Sequence, residues 1–235
     1  MTDVFCLAVI PARGGSKGVP NKNLRDFAGS SLIELAVQAA QQSELINDFI
    51  VTTDSPDIAD LARSRGADIP FLRESELSGD EVPVKAVTRA TALWYEANRG
   101  VRPDIVLTLQ PTSPLRTAEH LDTAIRMLAE SDAEGLIGVT EAEHSPYKMR
   151  LIRDGLCSPL FPDMVVDQRQ DAPPAYRLNG IVYATRWQTL IDKRSLWGDR
   201  ALPYVLPEDV SFNIDTELEF QFAEFCYLKK YGRQT

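Results

Sequence analysis

Short apolar runs alternate with longer amphipathic stretches along the chain, and this alternation limits the possible folds more than any other feature. Five mainly apolar runs are typical of strands buried on both faces of a sheet: 4–10, 49–53, 105–109, 135–139 and 181–185. Apolar residues at helical spacing follow at 32–40, 86–97 and 121–128. A last helix is predicted to have Leu218, Phe222 and Phe225 on its inward face. Strands that alternate with helices predict a three-layer α/β fold with a mostly parallel sheet.

The alternation stops between residues 142 and 178. This stretch has no helical period and holds five prolines: Pro146, Pro159, Pro162, Pro173 and Pro174. We interpret 142–178 as an irregular insertion that projects from a single domain of residues 1–235. Its predicted use is dimer contact or a wall for the substrate.

Composition and charge exclude several classes of function. The net charge of −9 argues against nucleic acid as a partner, since nucleic-acid-binding proteins usually carry a broad basic surface. No window approaches the roughly 20 apolar residues that cross a bilayer, and Met1 is followed by Thr2 and Asp3 rather than by a signal sequence. The three cysteines form no CxxC pair, and the two histidines lie far apart. The sequence therefore predicts a reduced, cytoplasmic protein that binds neither membranes nor nucleic acid.

The loop after the first predicted strand reads "VIPARGGSKGVPNKN", residues 9–23, and contains no acid. It combines three glycines with Arg13, Lys17 and Lys22, and Arg25 follows two residues later. Loops at the carboxyl ends of parallel strands are where open α/β sheets bind ligands, and glycines allow backbone N–H groups to approach anions. The spelling matches neither G-x-x-x-x-G-K-[ST] nor G-x-G-x-x-G. We therefore predict that the loop binds a triphosphate in a way that differs from these two known phosphate-binding motifs.

Four segments together resemble the acylneuraminate cytidylyltransferase family, which activates sialic acid and related nonulosonic acids as CMP-sugars. They occur in the family's order: "IPARGGSKGVPNKN" at 10–23, "LQPTSPLR" at 109–116, "QRQDAPPAYRLNGIVY" at 168–183 and "NIDTELEF" at 213–220. "ADIPFLR", 67–73, and "RQDAPPAYRLNG" are most similar to the legionaminic and pseudaminic acid branch. The resemblance implies a Rossmann-like nucleotidyltransferase fold of the glycosyltransferase-A-like type.

The resemblance implies nucleotide-binding residues in and beyond the first motif. They are Ala12, Arg13, Gly14, Gly15, Ser16, Lys17, Lys22, Asn23 and Asp80. Arg13 and Lys22 are the implied catalytic phosphate ligands, and Asn23 either reads the cytosine or holds the loop. After Asp80, Val82 and Val84 stand where relatives carry hydroxyl side chains.

For the sugar acid, the resemblance implies contacts from the second motif and the insertion. They are Gln110, Lys148, Arg169, Gln170, Tyr176, Arg177 and Asn179. Guanidinium groups suit a carboxylate, while amides and a phenol suit hydroxyls and acylated amines. A structural interpretation stays open for the second motif, since its prolines shape the turn and Thr117 caps the next helix. Arg116 either contacts the substrate or stabilises the turn.

Asp215 is the implied metal ligand and third catalytic residue, with Asn213 as a second, neutral ligand where relatives often carry aspartate. The implied ion is Mg²⁺, with Mn²⁺ as an alternative, since Mg²⁺ prefers oxygen ligands. Thr216 and Glu219 have capping-box spacing, so Asp215 also marks the start of a helix. Asp54 stands before Ser55 and Pro56, a spacing that suits a helix start, and is not assigned to the site.

The resemblance implies that the anomeric hydroxyl of a nonulosonic acid attacks the α-phosphate of CTP in line, which gives a CMP-sugar and pyrophosphate. It also implies a homodimer. Three alternatives stay open: a 3-deoxy-manno-octulosonate cytidylyltransferase, a sugar-1-phosphate nucleotidyltransferase, and a catalytically inert sugar-nucleotide-binding protein.

Overall fold

A computed structural model describes residues 4–164, 168 and 171–233. The strands and helices follow one another in this order: β1 (Cys6–Pro11), β2 (Asp26–Phe27), β3 (Ser30–Ser31), α1 (Leu32–Gln42), β4 (Asp48–Thr52), α2 (Pro56–Ser64), α3 (Val84–Arg99), β5 (Ile105–Thr108), α4 (Ala118–Ala129), β6 (Gly135–Glu141), β7 (Arg150–Arg153), β8 (Leu156–Pro159), β9 (Tyr176–Arg186), α5 (Trp187–Ile191), β10 (Ala201–Val205) and α6 (Glu217–Tyr231). None of the helices in this part of the chain has the length and apolar composition that a bilayer crossing requires.

Six strands form the central sheet in the order β10-β6-β9-β5-β1-β4. Strand β1 runs parallel to β4 and β5, and β10 runs parallel to β6. Strand β9 is antiparallel to both of its neighbours, β5 and β6. The predicted mostly parallel sheet is confirmed, whereas the edge strand β10 was not predicted. It contains Pro203, which an edge strand tolerates because one side of its backbone has no partner.

Alternate residues of β1 face two separate apolar layers. Ala8 and Ile10 pack in the larger cluster, which includes side chains of α1, α4 and α6. Leu7 and Val9 pack in the smaller cluster with side chains of α3 and α5. All four side chains are fully buried. Helices therefore cover both faces of the sheet, as the three-layer prediction requires.

The predicted inward face of α6 is wrong. Leu218, Phe222 and Phe225 are 76%, 55% and 61% exposed, and the opposite face is buried instead. On that face Phe220 and Tyr227 each place their ring 5.4 Å from the ring of Phe27. Both faces of the helix carry apolar residues at helical spacing, so the spacing alone does not show which face is buried. The ring contacts with Phe27 determine which face packs on the core.

The insertion is built around a hairpin of β7 and β8, which pair only with each other among the described strands. Its predicted end at residue 178 is too late, because β9 already begins at Tyr176. Tyr176 pairs with Glu141 and Leu178 with Val139 of β6. The last three residues assigned to the insertion therefore belong to the central sheet.

Candidate functional site

A cavity of about 430 Å³ lies beyond the carboxyl ends of β1 and β5, the edge where open α/β sheets bind ligands. Four parts of the chain surround it: the loop after β1, the segment that leads into α3, the turn after β5, and the residue before the α6 cap. The lining residues include Arg13, Ser16, Lys17, Lys22, Asn23, Arg73, Ser78, Asp80, Val84, Gln110, Thr112 and Asp215. Eight of the predicted site residues thus meet around one cavity.

Strand β4 and the turn that follows it hold the loop after β1 in place through hydrogen bonds. The backbone N–H of Ala12 donates to the carbonyl of Thr52 (3.0 Å), and that of Gly14 donates to the carboxylate of Asp54 (2.9 Å). The side-chain amide of Asn23 donates to the carbonyl of Arg13 (3.0 Å). Asp54, which the sequence did not assign to the site, therefore positions the loop, and Asn23 serves the loop-holding role that was one of its two predicted roles.

The same loop is fastened to the segment before α6. A Cβ atom at Gly18 would overlap the carbonyl oxygen of Asp215, so only glycine permits this approach. Lys22 Nζ donates to the carbonyl of Ile214 (2.5 Å) and lies 3.4 Å from the Asp215 carboxylate. The Lys22 side chain is 11% exposed, while that of Asp215 is 64% exposed. Lys22 therefore joins the first and last motifs, and the Asp215 carboxylate stays accessible.

Asp80 occupies the cationic side of the cavity. Its carboxylate pairs with the Arg13 guanidinium and, at 2.5 Å, with Lys17 Nζ. Hydrogen bonds from Lys17 and Arg13 lower the pKa of the Asp80 carboxyl, so it is an anion at neutral pH. A triphosphate that binds Arg13 and Lys17 has to compete with this carboxylate.

We expect Asp80→Asn to bind CTP more tightly, by about two- to five-fold, as is typical when an exposed ion pair is removed. The amide keeps the shape of the side chain but no longer competes as an anion for the two loop cations. Isothermal titration calorimetry with CTP and with CMP measures the effect. We expect a smaller gain for CMP, because it carries fewer phosphates for Arg13 and Lys17.

Glu81→Gln is the matched control, because it removes the same charge from the neighbouring exposed residue. We expect this variant to bind CTP like the wild type. If Asp80→Asn instead weakened the binding of both nucleotides, its carboxylate would contact the nucleotide directly.

Arg73 is a lining residue that the sequence did not indicate, since nothing around "IPFLR" separates it from a surface arginine. Its side chain is 4% exposed. It donates to the carbonyl of Thr52 (3.3 Å) and to the hydroxyl of Ser78 (3.2 Å), and it lies 3.5 Å from the Asp54 carboxylate. Burial lowers the pKa of the Arg73 guanidinium. Arg73 thus links Thr52 and Asp54, which anchor the loop after β1, to Ser78 of the cavity lining.

The turn after β5 is held by Arg116, and the structure favours the structural interpretation of this residue. Its guanidinium donates to the carbonyls of Ile181 (2.5 Å) and Gln110 (2.6 Å). Burial lowers its pKa to about 9, so the group stays charged at neutral pH. Arg116 fixes the backbone of Gln110, whose own side chain belongs to the cavity lining.

Asn213 and Asp215 form a short hydrogen-bonded chain at the edge of the cavity. Thr112 Oγ1 donates to Asn213 Oδ1 (2.7 Å), and Asn213 Nδ2 donates to Asp215 Oδ2 (2.7 Å). No group of three His, Cys, Asp or Glu residues that could hold a metal occurs in the described part of the chain. One exposed carboxylate still fits Mg²⁺, which usually binds one or two carboxylates together with phosphate oxygens and water. Asp215 therefore suits an ion that arrives with a triphosphate.

Most of the predicted sugar-binding residues lie outside this cavity. Arg177 pairs with Glu143 (2.8 Å), and Tyr176 lines a second cavity of about 410 Å³. Asn179 is fully buried and donates to the Ser211 hydroxyl (3.1 Å). Lys148 lies in the short helical turn before the hairpin and is not part of the lining. The sugar contacts of these residues stay predictions, and Arg169 and Gln170 lie outside the described residues.

Arg25 does not add its charge to the cavity. Its guanidinium makes two hydrogen bonds to the Glu217 carboxylate, at 2.6 and 2.8 Å, and lies 4.4 Å from the centre of the Phe220 ring. Arg25 was grouped with the cations of the predicted triphosphate site, and the structure corrects that grouping, since Arg25 is not among the lining residues. Arg25 instead fastens the loop to α6.

Comparison with known proteins adds to this geometry. Residues 7–184 match the family model described as cytidylyltransferase. A CMP-N,N'-diacetyllegionaminic acid synthase of Legionella pneumophila is 35% identical over 222 residues, which cover 93% of this chain and 94% of that protein. A pseudaminic acid cytidylyltransferase of Campylobacter jejuni is 28% identical over 222 residues, 94% of this chain and 95% of that protein.

A solved structure of a CMP:2-keto-3-deoxy-manno-octonic acid synthetase in complex with CTP has the same fold. It aligns with a TM-score of 0.70 at 16% identity and covers 96% of this chain and 99% of that one. The family match spans the loop after β1 and the whole of the second and third motifs. The chain belongs to the cytidylyltransferase family.

Proposed function

We propose that this chain is a CTP-dependent cytidylyltransferase that converts a nonulosonic acid to its CMP-sugar with release of pyrophosphate. The observation that carries the proposal is the cavity at the carboxyl edge of the sheet, which Arg13, Lys17 and Lys22 line together with Asp215. A nucleoside triphosphate requires this combination of cations and a hard oxygen ligand. The similar CMP-legionaminic and pseudaminic acid enzymes support the substrate class.

The reaction needs positioning and charge neutralisation more than a covalent intermediate. Arg13 and Lys17 bind the triphosphate after they release Asp80, and their charges stabilise the departing pyrophosphate. Asp215 would hold a divalent ion, Mg²⁺ or Mn²⁺, and Asn213 orients the Asp215 carboxylate through its hydrogen bond. When bound, the ion would neutralise further charge on the phosphate oxygens. Gln110 belongs to the same cavity lining as Asp215 and would contact the sugar acid.

The acid is proposed to extend from Gln110 towards the insertion and the start of β9. There Lys148, Tyr176, Arg177 and the predicted pair Arg169 and Gln170 would recognise its carboxylate and polar tail. We further propose that the enzyme is cytoplasmic and homodimeric. The exposed apolar side chains of Ile152 and Leu156 in the β7–β8 hairpin support the dimer.

A panel assay tests the substrate class. CTP and Mg²⁺ are incubated with legionaminic, pseudaminic and sialic acids, 3-deoxy-manno-octulosonate and hexose 1-phosphates, and pyrophosphate release is measured. We expect turnover with at least one nine-carbon acid and identification of its CMP-sugar by mass spectrometry.

Preferred turnover of the octulosonate or of a hexose 1-phosphate would replace the proposal with one of the two other enzyme classes. CTP binding without turnover of any compound would favour the inert binding protein. The fold likeness at 16% identity does not discriminate among these outcomes, since it shows the architecture alone.

A further inference from the structure

A third cavity, of about 170 Å³, lies among helix α1, the turn before α4 and the C-terminal part of α6. It shares no lining residue with the candidate site. An apolar cavity of about 150 Å³ holds a molecule the size of benzene. The space therefore admits one small organic molecule. We name it the α1–α6 cavity.

Arg116 lines the α1–α6 cavity and has one donor that it does not use. The residue is 6% exposed. Its Nε donates to the carbonyl of Ile181 (2.5 Å), and its Nη2 donates to that of Gln110 (2.6 Å). Nη1 makes no hydrogen bond within the described part of the chain. The fully buried side-chain atoms without a partner among these residues are Thr52 Oγ1 and Ser145 Oγ, so Arg116 Nη1 is not sealed from solvent and can receive a ligand.

The charge of Arg116 has no acidic partner. Among the described residues, no acid forms an ion pair with its guanidinium or acts on its pKa, which burial lowers to about 9. Buried charges are normally paired. Helix α4 begins directly after its cap Thr117, and the N-terminal end of a helix adds positive potential. An anion in the α1–α6 cavity would supply the missing partner.

The walls of the cavity are apolar and aromatic, and its remaining polar groups are neutral. Three buried apolar residues contribute to the lining: Leu35, Ala39 and Pro114. Tyr227 and Tyr231 add two rings whose centroids lie 5.0 Å apart. The side chains of Gln38 and Gln42 are exposed and add amides. Such a lining suits a ligand with one charged end and a compact apolar body.

We infer that the α1–α6 cavity binds a small monocarboxylate with a compact apolar body, whose carboxylate accepts a hydrogen bond from Arg116 Nη1. One cation without a counter-ion matches one negative charge. Inorganic phosphate has more than one charge and no apolar part, so it matches neither the single cation nor the walls. A nonulosonic acid carries polar groups along nine carbons and exceeds the available space.

The position of Arg116 gives this ligand a regulatory role. The same guanidinium holds the carbonyl of Gln110, whose side chain lines the candidate site. A carboxylate on Nη1 completes the hydrogen bonds of the guanidinium and so restrains the turn after β5 in its present position. Coupling between two sites is reciprocal. A monocarboxylate in the α1–α6 cavity and a substrate that contacts Gln110 therefore strengthen each other's binding.

Titration with benzoate tests the charge and the shape of the ligand. Benzoate carries one carboxylate on a ring, benzamide is its neutral counterpart, and inorganic phosphate lacks the ring. Isothermal titration calorimetry is performed at saturating CTP without a sugar acid, so that the candidate site is occupied. We expect a Kd on the order of 1 mM for benzoate, binding of benzamide at least about ten-fold weaker, and no binding of phosphate.

Thermal unfolding gives an independent readout. A ligand that binds only the folded chain raises its melting temperature, and we expect a rise of about 3–6 °C at ten times the Kd of benzoate. Benzamide at the same concentration should leave the melting temperature unchanged. Neither measurement uses a sugar acid, so both stand or fall separately from the proposed reaction.

Two variants locate the binding without altering Arg116, which the turn needs for folding. Gln38→Glu places a carboxylate in the lining that competes for Arg116 and repels the ligand, and we expect benzoate to bind about ten-fold more weakly or not at all. Tyr231→Ala removes one ring, and we expect a loss of about two- to ten-fold. Gln41→Glu is the matched control, because it puts the same charge on an exposed residue of α1 outside the lining. It should bind benzoate like the wild type.

Far-UV circular dichroism checks that every variant is folded. The inference is overturned if benzoate does not bind, if benzamide binds equally well, or if phosphate binds more tightly. Displacement of benzoate by CTP would place it in the candidate site instead. Wild-type affinity in both Gln38→Glu and Tyr231→Ala, or an equal loss in Gln41→Glu, would also overturn it.

Discussion

Asp215→Ala lowers turnover by about 10³-fold or more, a loss of ~4 kcal/mol of transition-state stabilisation that is typical when a catalytic ion is no longer held. The variant removes the exposed carboxylate at the edge of the cavity and leaves Lys22 bonded to the carbonyl of Ile214. The chain should still fold, because Thr216 and Glu219 provide the cap of α6. Steady-state kinetics over a range of Mg²⁺ concentrations, with the best acid of the panel, measures this effect.

Asp215→Asn separates the metal role from a structural one. The amide keeps the shape and one oxygen, so we expect partial activity that requires a higher Mg²⁺ concentration for half-maximal rate. Asp209→Ala, an exposed acid of the turn before α6, should leave the Mg²⁺ dependence unchanged. An equal loss for Asp215→Asn at every Mg²⁺ concentration would show that Asp215 acts on structure alone.

Arg13→Ala should lower kcat/KM for CTP by roughly 10²-fold or more, as is typical when one preorganised charged donor to a developing oxyanion is lost. In the structure Arg13 projects into the cavity and pairs only with Asp80 among the described acids within ion-pair distance. Its loss also frees Asp80 to pair with Lys17 alone, which further weakens the cationic side. Initial rates at saturating and subsaturating CTP separate the loss in kcat from the loss in KM.

Arg25→Ala is the matched control for Arg13, since it removes another arginine from the same region. Arg25 binds Glu217 and lies over Phe220, so its loss should lower the melting temperature and leave kcat unchanged. If Arg13→Ala turned over CTP like the wild type under both conditions, the loop after β1 would not belong to the active site.

The sequence allowed the sheet edge and its loop to be predicted because both follow from local patterns. Residues 6–10 are apolar throughout, and glycines and cations follow them directly. The carboxyl ends of parallel strands lie at one edge of a sheet, which predicts a shared site for Arg13 and Gln110, and both line the cavity. The last motif added Asp215 to the predicted site. In the structure Asp215 lies 3.4 Å from Lys22, so the first and last motifs meet.

Other features depend on contacts between distant residues and could not be read from local patterns. Which face of α6 is buried depends on its ring contacts with Phe27. The role of Arg73 depends on its contacts with Thr52, Asp54 and Ser78. Asn179 has the chemistry of a sugar ligand, but its side chain is fully buried in this structure, which its local sequence did not indicate. Strand β9 has the apolar run of a parallel strand, and its antiparallel direction follows only from how the insertion returns to the sheet.

The close approach of Gly18 to the carbonyl of Asp215 affects how the protein is made. The loop after β1 is synthesised among the first residues, but the backbone that Gly18 contacts comes almost two hundred residues later in the chain. A nascent chain on the ribosome therefore has no complete nucleotide site until its last helix emerges. Partly synthesised chains cannot use CTP binding as a source of stability, and the ligand can stabilise only the finished protein.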